Sequence, residues 1–176
     1  TPKEVAERNI PVVAPEGFME EATSENILVG TAMARRSLYQ FGRDLPRNAK
    51  GNVDTGLGKD VAYGTIGIIA PTVLVTQPEQ KMDIDGVGFV FHNAPGAECP
   101  AEMTFSIPEK RLYDGAENLS QQMHNLLPVR GAKVRDALRW SNYMDHALEQ
   151  VREADIYIAS HNWPEWGNAN IKTLIT

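Results

Sequence analysis

The sequence predicts a mixed α/β or α+β fold, on three observations. Short β-branched runs, each bounded by Pro, Gly or Asn, cluster in the middle of the chain. One later segment, Lys133 to about Arg152, carries apolar residues at helical spacing. Strand-like and helix-like segments follow one another along the chain. With 176 residues, 42% of them hydrophobic, the chain can bury one core of ordinary size.

Each element has a local reason. Asn9 to Pro15 is a short apolar run that ends at a proline, the pattern of a buried strand. Glu20 to about Tyr39 lacks Pro, contains only Gly30, and is rich in Ala, Met, Leu, Glu and Arg, so it predicts a helix closed by Gly42. Residues 43–60 are polar, with Pro46, Gly51, Gly56 and Gly58, and predict a long loop. Gly67 to Thr76 is β-branched, and Pro71 implies an edge or a break. Met82 to Gly86 turns back into Val87–Phe91, where Val87, Phe89 and Phe91 share a face. Met103–Ile107 is a strand, Pro108-Glu109-Lys110 a turn, and Arg111–Tyr113 the returning arm. Asn118 to Leu126 is expected to form a short helix. In Lys133 to Arg152, Val134, Ala137, Leu138, Trp140, Met144, Ala147, Leu148 and Val151 form an apolar stripe. Ile156–Ala159 is a last strand, and Asn170–Ile175 begins a helix.

Composition narrows the function. A net charge of −6 argues against a nucleic-acid partner, which calls for a basic face. No apolar run approaches the ~20 residues of a membrane span. The single cysteine, Cys99, excludes an intramolecular disulfide framework and a mainly thiolate zinc site. The chain opens on Thr1-Pro2-Lys3 rather than Met, so a fragment or processed product is expected, from which a targeting segment could be lost.

Three side chains with metal-ligating chemistry follow the carboxyl ends of predicted strands. Glu98 comes just past the turn after Val87–Phe91, Glu117 after Arg111–Tyr113, and His161 after Ile156–Ala159. From spacing alone, ordinary surface acids and a hydrogen-bonded loop histidine are the favoured account of them.

Longer motifs carry more. Ser106 to Glu117 resembles the strand-turn-strand of the metallo-β-lactamase superfamily that ends in a bridging acid, and Ala159-Ser160-His161 resembles its last ligand strand. Ala14-Pro15-Glu16-Gly17-Phe18, Met33-Ala34-Arg35-Arg36, Glu98-Cys99-Pro100-Ala101-Glu102-Met103, Met123-His124-Asn125-Leu126, Arg130 to Asp136 and His161-Asn162-Trp163-Pro164 resemble the zinc-dependent alkyl sulfatases within it. The resemblance runs over essentially the whole chain. It implies an αββα sandwich, of which residues 1–176 are the central to C-terminal portion of one catalytic domain. It also implies hydrolysis of alkyl sulfate esters, such as dodecyl sulfate, to alcohol and sulfate.

By the same resemblance, two Zn²⁺ are expected per catalytic domain. Glu98 would complete one ligand set, Glu117 would bridge both metals, and His161 would bind the second. Asn125 and Arg130 would bind sulfate, the guanidinium meeting two oxygens at once. Tyr63 is a further candidate for that pocket or a plain strand-edge aromatic. Glu102 reads as a structural acid rather than a support for the ligands, and His124 as a packing residue ahead of one that shapes the pocket beside Asn125. His92 and His146 read as satisfied polar groups, Cys99 as a small buried filler ahead of a group that tunes Glu98, and Trp163 and Trp166 as walls or core. A homodimer and an exported, periplasmic or secreted enzyme are implied as well.

The superfamily's His-x-His-x-Asp-His motif occurs nowhere in the sequence. It is expected just before Thr1, in remaining segments of the same protein, so the isolated chain is expected to be inactive. The general acid is not assigned. The alternatives are a hydrolase of the same fold acting on another ester or lactone, and a metal-free interaction domain.

Overall fold

Alternating apolar and polar side chains between Glu79 and Asp114 build an antiparallel meander. In the computed structural model, which describes residues 1–56, 58 and 67–176, it comprises β3 (Glu79–Ile84), β4 (Val87–Asn93), β5 (Met103–Ile107) and β6 (Leu112–Asp114). A tight turn with Asp85 and Gly86 at positive φ joins β3 to β4. Next in the sheet are β7 (Ile156–Ile158), parallel to β6, and β8 (Glu165–Trp166), antiparallel to β7. The order of this six-stranded sheet is β3-β4-β5-β6-β7-β8.

One face of the sheet is covered by α4 (Ala137–Gln150) and α5 (Asn168–Ile175). Tyr113, Leu119, Ala147, Val151, Ala154, Tyr157, Ile171 and Ile175 form the core there. A fully buried aliphatic side chain such as Val151 or Ile171 contributes about 1.5–3 kcal/mol. Facing β-strands put Tyr113 and Tyr157 side by side, ring centroids 6.2 Å apart. The other face carries Phe89, Phe91 and Phe105, with Phe89 and Phe91 stacked at 5.6 Å. On that side Val13, Ala14 and Phe18 line one cavity with Met103 and Phe105. These residues come from β1 (Val13–Pro15), which pairs in parallel with β2 (Val73–Val75), and from α2 (Phe18–Thr23).

Most of the expected elements are present, with corrections. The strand foreseen at 9–15 is ordered as a strand only from Val13. An unforeseen α1 (Pro2–Glu7) precedes it, held by a Thr1/Glu4 capping box with Pro2 in its first turn. The long helix from Glu20 to Tyr39 is broken into α2, a π turn at Ser24–Leu28 and α3 (Gly30–Gln40). Within it Asn26 donates to the Ala22 carbonyl (3.0 Å), competing with the backbone ladder. Asn52, from the loop beyond, donates to the Phe41 and Gly42 carbonyls at 2.7 and 2.8 Å and closes the end of α3.

The helix expected over 118–126 does not form. Its backbone is used in tertiary bonds: the Asn118 carbonyl accepts from Trp140 Nε1 (2.7 Å), and the Leu119 carbonyl accepts from the Tyr157 hydroxyl. The helix expected from Lys133 begins at Ala137, because Asp136 caps it by accepting from Arg139 N (3.0 Å). Residues before the cap are drawn away, Lys133 to Glu21 and Arg135 to Glu98. The two-residue β8 carries no pattern long enough to read.

Candidate metal and anion site

Residues 44 apart in sequence, Glu117 and His161, meet because β6 and β7 run in parallel and their pairing continues beyond the strands. Gly115 N donates to Ile158 O (2.8 Å), and Ser160 N donates to Ala116 O (2.9 Å). The next residue on each strand is then a ligand candidate. Ala116 and His161 both take positive φ, 49° and 71°, conformations costly for non-glycine residues and typical of functional turns. Glycine is required at 115, where a Cβ would collide with the Tyr157 hydroxyl and approach Leu119 Cβ to 2.9 Å. His161 Nε2 lies 2.8 Å from Glu117 Oε1.

Glu98 approaches from the loop after β4 and is buried, 3% exposed. His124 links it to the pair: its Nδ1 is 2.9 Å from Glu98 Oε1 and 3.9 Å from Glu117 Oε2. The His124 and His161 rings stand 5.5 Å apart. Burial opposes ionisation of Glu98, but the His124 hydrogen bond and the Arg135 charge outweigh it, and the carboxyl lies below its ordinary range. Beside it, burial and the Glu98 charge push Glu102 up to about 7. Burial raises the Cys99 thiol, whose sulfur contacts Ala101 O at 3.1 Å, as suits an inert filler.

Glu117, His124 and His161 each offer one ligand atom within 4.8 Å of the others. A carboxylate accepts only, so His124 Nδ1–H donates to Glu98, which leaves Nε2 as the atom that can carry a lone pair to a metal. That atom is buried with no hydrogen-bond partner among the described residues. Two acids and two imidazoles with a spare buried lone pair suit a divalent metal such as zinc.

Asn125 and Arg130 line a cavity of about 600 Å³ with Glu98, Glu117, His124 and Arg135. A second cavity of about 610 Å³ shares Glu98, Glu117, Arg130 and Arg135. The acids thus lie against both cavities, with two guanidinium groups beside them. Tyr63 falls outside the described residues. Trp163 and Trp166 are 86% and 61% exposed, so neither is core. His146 is exposed, and His92 Nε2 is buried with no partner among the described residues.

Sequence reasoning missed the roles of His124 and Arg135. Both stand inside the motifs noted above, but only the folded chain shows that they converge on Glu98.

No family model matches the chain. It is 44% identical over 173 residues to an alkyl/aryl-sulfatase of Saccharomyces cerevisiae, spanning 98% of this chain and 27% of that protein. It superposes on a stereoselective inverting sec-alkylsulfatase from Pseudomonas sp. with a TM-score of 0.93 and 42% identity, over 99% of this chain and 28% of the other. A metallo-β-lactamase from Pontibacter korlensis matches 98% of this chain and 61% of its own at 13% identity and a TM-score of 0.50, which concerns the fold alone. The chain thus spans about a quarter of the length of its sulfatase relatives, and the metallo-β-lactamase-type fold expected from sequence is the fold observed.

Proposed function

We propose that the chain belongs with the alkyl/aryl-sulfatases it is similar to, and that it forms part of the catalytic domain of a metal-dependent hydrolase of alkyl sulfate esters. The observation that carries this is the grouping of Glu117, His124 and His161, with Glu98 held against His124, beside a cavity that Glu98, Glu117 and His124 line together with Asn125 and Arg130. Glu98, Glu117 and His161, with His124 beside them, would supply this chain's share of the ligands for two zinc ions. When bound, the metal supplies Lewis acidity and activates water at neutral pH.

The chain's own residues do the rest. Arg130 presents a planar, permanently charged fork to the sulfate oxygens, and Asn125 adds a neutral donor. Binding sulfate in this way orients the ester toward the acids and excludes competing solvent from the anion. Glu98 is held ionised at neutral pH by His124 and Arg135, so it is ready for a cation without first losing a proton. The same proposal includes a homodimer and an exported enzyme, both to be read from the mass and cellular fraction of the longer protein.

The test uses that longer protein. Two zinc ions per protomer and sulfate release from dodecyl sulfate are expected, and Glu117→Ala and His161→Ala should each reduce both. Full zinc content and turnover in both variants would sink the assignment.

A further inference from the structure

Arg135 sits in the extended segment ahead of α4, where its backbone N–H donates to Leu126 O at 2.9 Å. Its side chain is 7% exposed. Nε donates to the Glu98 carbonyl and Nη2 to Glu98 Oε1. Nη1 donates to Asn125 twice, to the backbone carbonyl at 2.6 Å and to side-chain Oδ1 at 3.0 Å. One guanidinium therefore grips both an acid of the metal cluster and an amide of the anion pocket, using three nitrogens for four bonds.

We propose that Arg135 is a positioning residue that ties the metal-binding acids to the sulfate pocket and sets the polarity of the Asn125 amide. This rests on the alkyl-sulfatase reading above. With Oδ1 engaged by Arg135, the end of the amide left for a ligand is the Nδ2 donor. A flipped amide would turn a lone pair toward an anionic oxygen and repel it. The same clamp fixes Glu98 from its carbonyl and one carboxylate oxygen, while Asn118 Oδ1 accepts from Glu98 N at 3.2 Å. Glu98 thereby loses rotamer freedom before any cation arrives. Lysine cannot replace the clamp, because a single ammonium lacks the rigid spread of donors that reaches both residues.

The experiment compares the longer protein with Arg135→Lys, Asn125→Ala and the double variant. Inhibition by inorganic sulfate, kcat and KM for an alkyl sulfate, zinc retained after dialysis against chelator, and melting of the zinc-free protein are measured. Arg135→Lys should weaken sulfate inhibition and raise KM about tenfold, the worth of one charge-assisted bond. It should also hasten zinc loss by more than any fall in zinc-free melting accounts for. Adding Asn125→Ala to Arg135→Lys should cost little more sulfate affinity, because the amide's orientation is already lost.

Wild-type sulfate inhibition and zinc retention in Arg135→Lys would overturn the proposal, as would fully additive losses in the double variant. Should Arg135→Lys not fold, Asn125→Asp decides. It keeps an acceptor for Arg135 but removes the donor, so sulfate inhibition should vanish while zinc stays; undiminished inhibition would refute the coupling. A wild-type protein that holds zinc yet neither binds sulfate nor hydrolyses alkyl sulfate would remove the parent reading, and this inference with it.

Discussion

His124 and His92 are buried to nearly the same degree, 9% and 8% exposed, and each has an Nε2 with no partner among the described residues. Their surroundings differ. His124 donates to a carboxylate, stands edge-on to Trp140 with centroids 6.4 Å apart, and has a second acid and a second imidazole within reach. His92 lies in a cavity of about 280 Å³ with Asn93, Asn118 and Tyr143, where Asn93 Oδ1 and Asn118 Nδ2 are likewise unpartnered. Burial lowers its pKa, which favours the neutral ring. A buried histidine becomes a ligand candidate through converging opposite charge, not through burial.

The largest test of that contrast is Glu98→Ala in the longer protein. It strands the Arg135 guanidinium without its carboxylate and should cost about 3–5 kcal/mol in denaturant unfolding, with zinc loss. A cost below about 1 kcal/mol would mean that the charge network contributes little. His124→Gln should cost about 1.5–3 kcal/mol, the worth of a hydrogen bond to a charged group, whereas His92→Gln at pH 7 should stay within about 1 kcal/mol. Equal costs would erase the distinction.

A pH series sharpens it further. Because the folded His92 pKa is below its ordinary 6.5, the unfolded chain binds more protons in the interval between the two values. Its contribution to stability is whole above 6.5 and is lost as pH falls from there through the folded value. Urea midpoints of wild type should therefore drop between pH 7.5 and 5.5 by more than those of His92→Gln; parallel curves would refute this. The smallest effect is expected at the half-exposed Lys133–Glu21 pair (2.7 Å), where Lys133→Ala should cost no more than about 1 kcal/mol and leave zinc binding intact.

Local pattern made the meander legible: β4, β5 and β6 alternate, and α4 has its stripe. It could not reveal that Asn118 and Leu119 spend their carbonyls on Trp140 and Tyr157, so residues 118–126 look helical in sequence and are not. The metal candidates Glu98, Glu117 and His161 and the anion candidates Asn125 and Arg130 came from motif resemblance, since spacing alone favours surface groups. His124 and Arg135 escaped because their meaning is tertiary. Each acts through Glu98, 26 and 37 residues away, and no local period encodes such a meeting.

The parallel register of β6 and β7 also sets an order of events during biosynthesis. A parallel pair cannot close through a tight turn, and here 41 residues, α4 among them, lie between Asp114 and Ile156. Loop-closure entropy makes such non-local pairing slow relative to hairpins and helices. Glu117 and His161 therefore come together late, and metal loading is expected to follow completion of the sheet rather than to nucleate it. Pulsed hydrogen exchange during refolding would show β3–β4 protected first and β6–β7 last, with zinc leaving that sequence unchanged; early zinc-dependent protection of β7 would reverse the order.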